Sequence, residues 1–317
     1  MKVGISRCLF YHEYFPIWEA FFSEAGVEIV VSPDTTKAIL KRGLNLAHTD
    51  ICLPMKIAFG HVDYLKDKVD VIFLPRIVSI EKYKYVCPKV IGFTDMVRAV
   101  VEGLPPILDP IFDTRKQPLK HSYYALGKKF GKSRAQVDRI LKMGEKAKKE
   151  DNEKEIKVSG NDLSVAIISR SYLINDNLAS FNLVSRLKEK GITIWTADMI
   201  DNAVIKSEAS TLKKSIYYSL GERSVGAAFY FFRSSLVDGL IHLISFDCGP
   251  DALLKEFIDE EAKRSSIPYM TLIVDEHTGI EGILTRVEAF LDMVSRKKNE
   301  SSFSTYGRAR PRSKALL

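Results

Sequence analysis

Disulfides, membrane spans and phosphate-binding loops are all missing from this sequence. Four cysteines in 317 residues do not make a disulfide framework, so each is free for metal, catalytic or plain packing use. No run approaches 18 apolar residues, which argues against a transmembrane helix. The start, Met1-Lys-Val-Gly-Ile5, enters a strand pattern without a charged and apolar leader, so a cytoplasmic protein is expected. No glycine-rich loop of the P-loop or dinucleotide type occurs. Basic charge is also scarcer than the net +7 suggests. Residues 115–157 hold fourteen basic and six acidic side chains, and residues 296–317 hold seven and one. The remainder is acidic on balance, so nucleic-acid binding is not expected. The basic tail lacks interleaved aromatics and reads as a solvated end.

What is present is an alternation of strand and helix patterns, with a hydrophobic share of 46%. Strands are expected at residues 2–6, 27–32, 69–75, 163–169, 192–195, 239–246 and 269–274. Helices are expected over 9–24, from 34 or 35 through 40, and over 55–65, 177–190, 217–232, 251–264 and 283–297. This predicts an α/β protein of two Rossmann-like open sheets, mostly parallel, facing across a cleft. The expected divisions are 1–115 for the first α/β domain, 116–160 for a helical basic connection, 161–297 for the second α/β domain and 298–317 for a disordered basic tail. Ser133-Arg-Ala-Gln136 has the spacing of a capping box within the connection.

Three cysteines recur in one setting. Cys52 stands in Asp50-Ile-Cys-Leu-Pro54, Cys87 in Val86-Cys-Pro88 and Cys248 in Asp247-Cys-Gly-Pro250, each with a proline one or two residues on. A thiol ahead of a helix faces the positive end of its dipole, which favours thiolate. Soft thiolates select zinc, copper(I) or iron–sulfur clusters. Without a C-x-x-C pair the spacing suits a three-cysteine [4Fe–4S] cluster better than structural zinc, with scattered buried cysteines as the competing reading.

Several segments together resemble a known family: Asp50-Ile-Cys-Leu-Pro-Met-Lys56, Phe59-Gly-His-Val62, Phe73-Leu-Pro-Arg76, Cys87-Pro-Lys89, Phe246-Asp-Cys-Gly-Pro250, Asp275-Glu-His-Thr-Gly279 and Thr285-Arg-Val-Glu-Ala-Phe290. They are similar to the 2-hydroxyacyl-CoA dehydratase-like proteins, in the group called acyl-CoA dehydratase activase-related. The resemblance implies two Rossmann-like domains and a [4Fe–4S] cluster held between them by Cys52, Cys87 and Cys248. It further implies either a lyase that removes water from a 2-hydroxyacyl-CoA through a ketyl radical, or an electron-transfer component. The electron would come from an actin-like fold ATPase activator or another reductase, and the substrate would be a CoA thioester. The ATPase module, fused in many relatives, is not found in this sequence.

Other residues carry paired readings. Cys8 is either a fourth thiolate or an inert packed thiol. His61 is a catalytic candidate or a hydrogen-bonding residue of its helix. Lys56 and Lys89 either hold a CoA phosphate and offset cluster charge, or are surface lysines. Glu276 and His277 are candidates for proton transfer, or belong to a loop that pins the domains together. Arg286 and Glu288 are expected to form an interdomain ion pair. Ser169-Arg-Ser171 follows a strand and offers a weak anion-binding pattern. Two further readings stay open: a non-catalytic scaffold for a separate ATPase, and a zinc-stabilised binding protein using His61 or His277 as fourth ligand.

Overall fold

The computed structural model describes residues 1–155 and 163–307. The first half runs β1 (Lys2–Ile5), α1 (Tyr11–Ala25), β2 (Glu28–Val31), α2 (Lys37–Leu46), α3 (Leu53–Leu65), β3 (Val71–Phe73) and β4 (Arg76–Ser79). It continues through α4 (Pro88–Ile91), α5 (Phe93–Val100), β5 (Ile107–Leu108) and β6 (Ile111–Asp113). Two helices follow, α6 (Leu119–Lys129) and α7 (Arg134–Glu155). The second half runs β7 (Ser164–Ile168), α8 (Ser171–Ile174), α9 (Leu183–Glu189), β8 (Thr193–Thr196), α10 (Asn202–Ala209) and α11 (Ser219–Arg233). It ends with β9 (Gly239–Ser245), α12 (Gly249–Arg264), β10 (Tyr269–Val274) and α13 (Ile280–Gly307).

Two four-stranded parallel sheets form, ordered β2-β1-β3-β5 and β10-β9-β7-β8. These are the expected Rossmann-like open sheets. In both, the chain reverses its direction of travel beside the first strand, at β1/β3 and at β7/β9. Ligands in open α/β sheets collect at the carboxyl ends of strands flanking such a point.

Local chemistry explains most of the boundaries. Gly26 closes α1 at φ 73°, a left-handed position that a side chain would strain. Thr36, one or two residues beyond the expected caps, begins α2 by accepting a bond from the Ile39 N–H. The Ser133/Gln136 capping box forms reciprocally, at 3.3 and 2.8 Å.

Some expectations are corrected. Strands β4 and β6, absent from the expected set, pair in a separate two-stranded sheet. The single helix expected over 177–190 is broken by left-handed Phe181 and Asn182, which leave only α9. The closing helix continues past Lys297 to Gly307, so residues 298–307 are helical; residues 308–317 lie outside the described part. Likewise α7 reaches Glu155, and the rest of the expected connection, 156–160, lies outside the described part.

Helix α3 joins the halves. Met55, Ala58, Phe59, Val62 and Leu65 enter the core of the first sheet. Leu53 and Ile57, from another face, enter the core of the second. A helix apolar on several faces must be enclosed, and α3 is buried from Leu53 through Val62. Against α2 it packs glycine to glycine: a Cβ on Gly60 would sit 2.0 Å from the Ile39 carbonyl oxygen, and one on Gly43 would sit 1.8 Å from that of Lys56.

Candidate cysteine centre

Cys52, Cys87 and Cys248 are each the residue immediately before a helix: α3, α4 and α12. The neighbouring prolines occupy the first or second helical position, where a missing N–H costs no hydrogen bond. All three thiols are free and partly buried.

The three caps come from distant stretches and are tied together. Lys89, two residues past Cys87, donates its ammonium to the Asp50 carbonyl at 3.0 Å and the Asp247 carbonyl at 3.3 Å. One side chain thus holds the Cys52 and Cys248 loops against the Cys87 turn. The Leu53 N–H, next to Cys52, donates to Ser245 Oγ at the end of β9. Tyr85 forms a parallel bridge with Tyr218, through Tyr85 N to Tyr217 O at 2.9 Å and Ser219 N to Tyr85 O at 3.1 Å. Cys52 is close enough to feel the charges of Cys87, Lys89 and Asp251, and Cys248 feels that of Cys52.

At Cys52 and Cys248 the expected easy ionisation is not what the surroundings favour. Burial pushes the Cys52 thiol up to about 11, against the lowering effect of the Met55 N–H and Lys89. Burial and then Asp251 raise that of Cys248 further, Arg170 opposing them. Desolvation of the thiolate outweighs the helix dipole here. Such thiols ionise when a cation binds them.

Cys8 lies apart, 8% exposed in the core beyond β1, and burial raises it to about 12. Among the described residues, no three His, Cys, Asp or Glu side chains form a group that could hold a metal ion. His61 lies nine residues along α3 from Cys52, roughly 13 Å at the helical rise, and the His277 side chain is 84% exposed.

Lys56 is not on the surface. Its ammonium pairs at 2.5 Å with Glu276, which follows β10, and the two side chains are 4% and 12% exposed. This pair crosses between the halves, so Glu276 pins the interface and Lys56 has a partner other than a phosphate. Lys56→Met is expected to cost about 3 kcal/mol by leaving the Glu276 carboxylate without its partner. Adding Glu276→Gln should recover most of that loss in urea titrations. Arg286 and Glu288 do not pair with each other: Arg286 donates to the Thr271 carbonyl, and Glu288 pairs with Lys190.

His61 is wholly buried and shares a 2.8 Å bond with Thr35 Oγ1, which also donates to Asp176 of the second half. Its Nδ1 has no partner among the described residues. Burial lowers His61 to about 4, and His242, 2% exposed, behaves alike. Between pH 6.5 and 4 the unfolded chain therefore binds protons that these folded imidazoles refuse, and stability falls as the pH falls through that window. Between pH 7 and 5 the expected loss is about 2 kcal/mol per histidine. Asp176, its carboxyl raised by burial, opposes this only nearer its own range. Urea midpoints at pH 7 and 5 check the sign.

Sequence reasoning missed the buried ion pair behind Cys248, in which Arg170 meets Asp251, both side chains being 5% exposed. Arg170 lay within the weak Ser169-Arg-Ser171 pattern, but nothing in sequence pointed to Asp251 as its partner. Tyr172, held far above the usual phenol range by burial, stands among Arg170, Asp251, Cys248 and Cys52.

Residues 2–200, more than half of the chain, match the family described as "CoA enzyme activase uncharacterised domain (DUF2229)". The chain belongs to this family. Cys52 and Cys87 fall inside the matched span, and Cys248 beyond it. No curated protein matches in sequence. Two solved structures of the SBP FpvC from Pseudomonas aeruginosa are similar at low level. The Ni2+ complex is 13% identical, covers 88% of this chain and 89% of that one, and has a TM-score of 0.27. The Mn2+ complex is 14% identical, covers 86% and 88%, and has a TM-score of 0.26. Neither likeness bears on what this activase-domain chain does. No helix among the described residues is long and apolar enough to cross a membrane.

Proposed function

We propose that this activase-family chain is a [4Fe–4S] protein of the 2-hydroxyacyl-CoA dehydratase type, with Cys52, Cys87 and Cys248 as ligands. The observation that carries the reading is the meeting of three cysteine caps from both halves, fastened through Lys89. A single ion would need a tighter ligand group than these side chains make. A cluster several atoms across takes its thiolates from farther apart. When bound, it supplies one low-potential electron, and three cysteines leave one iron open.

The chain's own residues supply the setting. Lys89 brings positive charge beside Cys52, and Arg170, anchored by Asp251, brings it beside Cys248. Both offset the negative charge that three thiolates gather. The caps stand where the halves meet, partly out of water, which strengthens these attractions. A separate ATPase of actin-like fold is the proposed electron donor, and an acyl-CoA the proposed substrate.

A second reading, an electron relay or scaffold without dehydration, is favoured by one observation. Two of the proton-transfer candidates are engaged elsewhere: His61 is enclosed with Thr35, and Glu276 is paired with Lys56. Of the three, only His277 is exposed at the surface.

Anaerobic purification followed by iron and acid-labile sulfide analysis tests the cluster. Brown protein with near-stoichiometric iron and sulfide is expected, and colourless protein after reconstitution would end the proposal. Dehydration of 2-hydroxyacyl-CoA by the loaded protein with a reduced activator separates the two readings.

A further inference from the structure

Tyr172 stands where the end of β7 meets the turns that carry Cys52 and Cys248. It belongs to α8, a single helical turn at the carboxyl end of β7, beside the reversal point of the second sheet. Helix α8 lies against β9, whose end leads into Cys248. Two contacts fix the residue further. Arg170, two positions earlier, is locked by its buried pair with Asp251, in the first turn of the helix that Cys248 caps. The Tyr172 ring packs on the core of the second half, which also takes in Leu53, the residue after Cys52. The phenol therefore lies near enough to interact with Arg170, Asp251, Cys248 and Cys52.

Its hydroxyl is unused. Tyr124 bonds to Asp138 and Tyr269 to Thr271, but the Tyr172 hydroxyl has no hydrogen-bond partner among the described residues. A tyrosine packed on an apolar core usually finds one. Burial keeps this phenol protonated, so it stays a donor. Of the acceptors around it, the Asp251 carboxylate is already answered by Arg170. What remains are the two sulfurs, and Cys248 is the one that shares its turn with Asp251. A thiol accepts hydrogen bonds weakly, whereas a metal-bound thiolate carries the charge that a donor favours.

We propose that Tyr172 donates a hydrogen bond to the Cys248 sulfur when that sulfur is a cluster ligand, and thereby raises the reduction potential of the centre. This rests on the cluster reading above. Reduction adds negative charge that the sulfurs share, so a donor to one of them stabilises the reduced form more than the oxidised form. Arg170 and Lys89 act by charge. Tyr172 is neutral in both states, and its removal changes hydrogen bonding alone.

Tyr172→Phe deletes the hydroxyl and keeps the ring in the core. Parent and variant, reconstituted anaerobically with iron and sulfide, are titrated by spectroelectrochemistry. Their reduced states are then compared in D2O by electron–nuclear double resonance. The variant should hold as much iron as the parent, and its potential should fall by about 30 mV, a roughly threefold drop in the ratio of reduced to oxidised cluster for one electron. One exchangeable deuteron coupling should vanish. Tyr124→Phe, on α6, should change neither reading. An unmoved potential, an unchanged set of couplings, or loss of iron from a folded Tyr172→Phe variant would each overturn the assignment. A loaded parent with any of those results sinks this inference alone, whereas a parent that takes up no iron sinks the cluster reading and this inference together.

Discussion

Replacing Cys52, Cys87 or Cys248 singly by serine is expected to reduce bound iron and sulfide to near zero, whereas Cys8→Ser keeps both. The contrast follows from position. The first three end loops that Lys89 and the Leu53–Ser245 bond hold at one place. Cys8 is packed in the core beyond β1. Serine keeps the size but not the soft sulfur that iron favours. The serine variants should fold, since these thiols are only partly buried, and circular dichroism separates loss of metal from loss of structure. Full iron content in any of the three would remove that residue from the ligand set.

Gly60→Val should cost more stability than any surface change, by about 3 kcal/mol or more. Added carbon at Gly60 would press on the Ile39 carbonyl, backbone against backbone, where no rotamer change gives relief. Helix α3 cannot retreat, because its other faces fill both cores. The paired position, Gly43, should behave in the same way. Chemical denaturation of each variant gives the number. Gly103, beside whose would-be Cβ nothing lies within 4 Å, shows how differently a glycine behaves when only its positive φ matters.

The sequence made the sheets legible because each buried parallel strand is a short apolar run closed by glycine, proline or a polar turn. Tyr269–Val274 matches its expected limits for that reason. Strands β4, β5 and β6 were missed because each is an apolar pair hemmed in by proline, charged or polar residues: Ile77-Val78 between Arg76 and Ser79, Ile107-Leu108 between Pro106 and Asp109, and Ile111-Phe112 between Pro110 and Asp113. The cysteine settings were visible because proline after a cap is a local signal. Their partners were not: Lys56 meets Glu276 across 220 positions and Arg170 meets Asp251 across 81. Nor does a sequence report desolvation, which outweighs the helix dipole at Cys52 and Cys248.

The position of α3 also decides how anything reaches the cysteines. A clamshell opening of the two halves would pull Leu53 and Ile57 out of one core or Met55 and Phe59 out of the other, wetting apolar surface on whichever side let go. The Lys89 bonds to two carbonyl groups, by contrast, lie at exposed positions. Breaking them costs far less than parting the halves, so the loops before Cys52 and Cys248 can shift against the Cys87 turn while both cores stay closed.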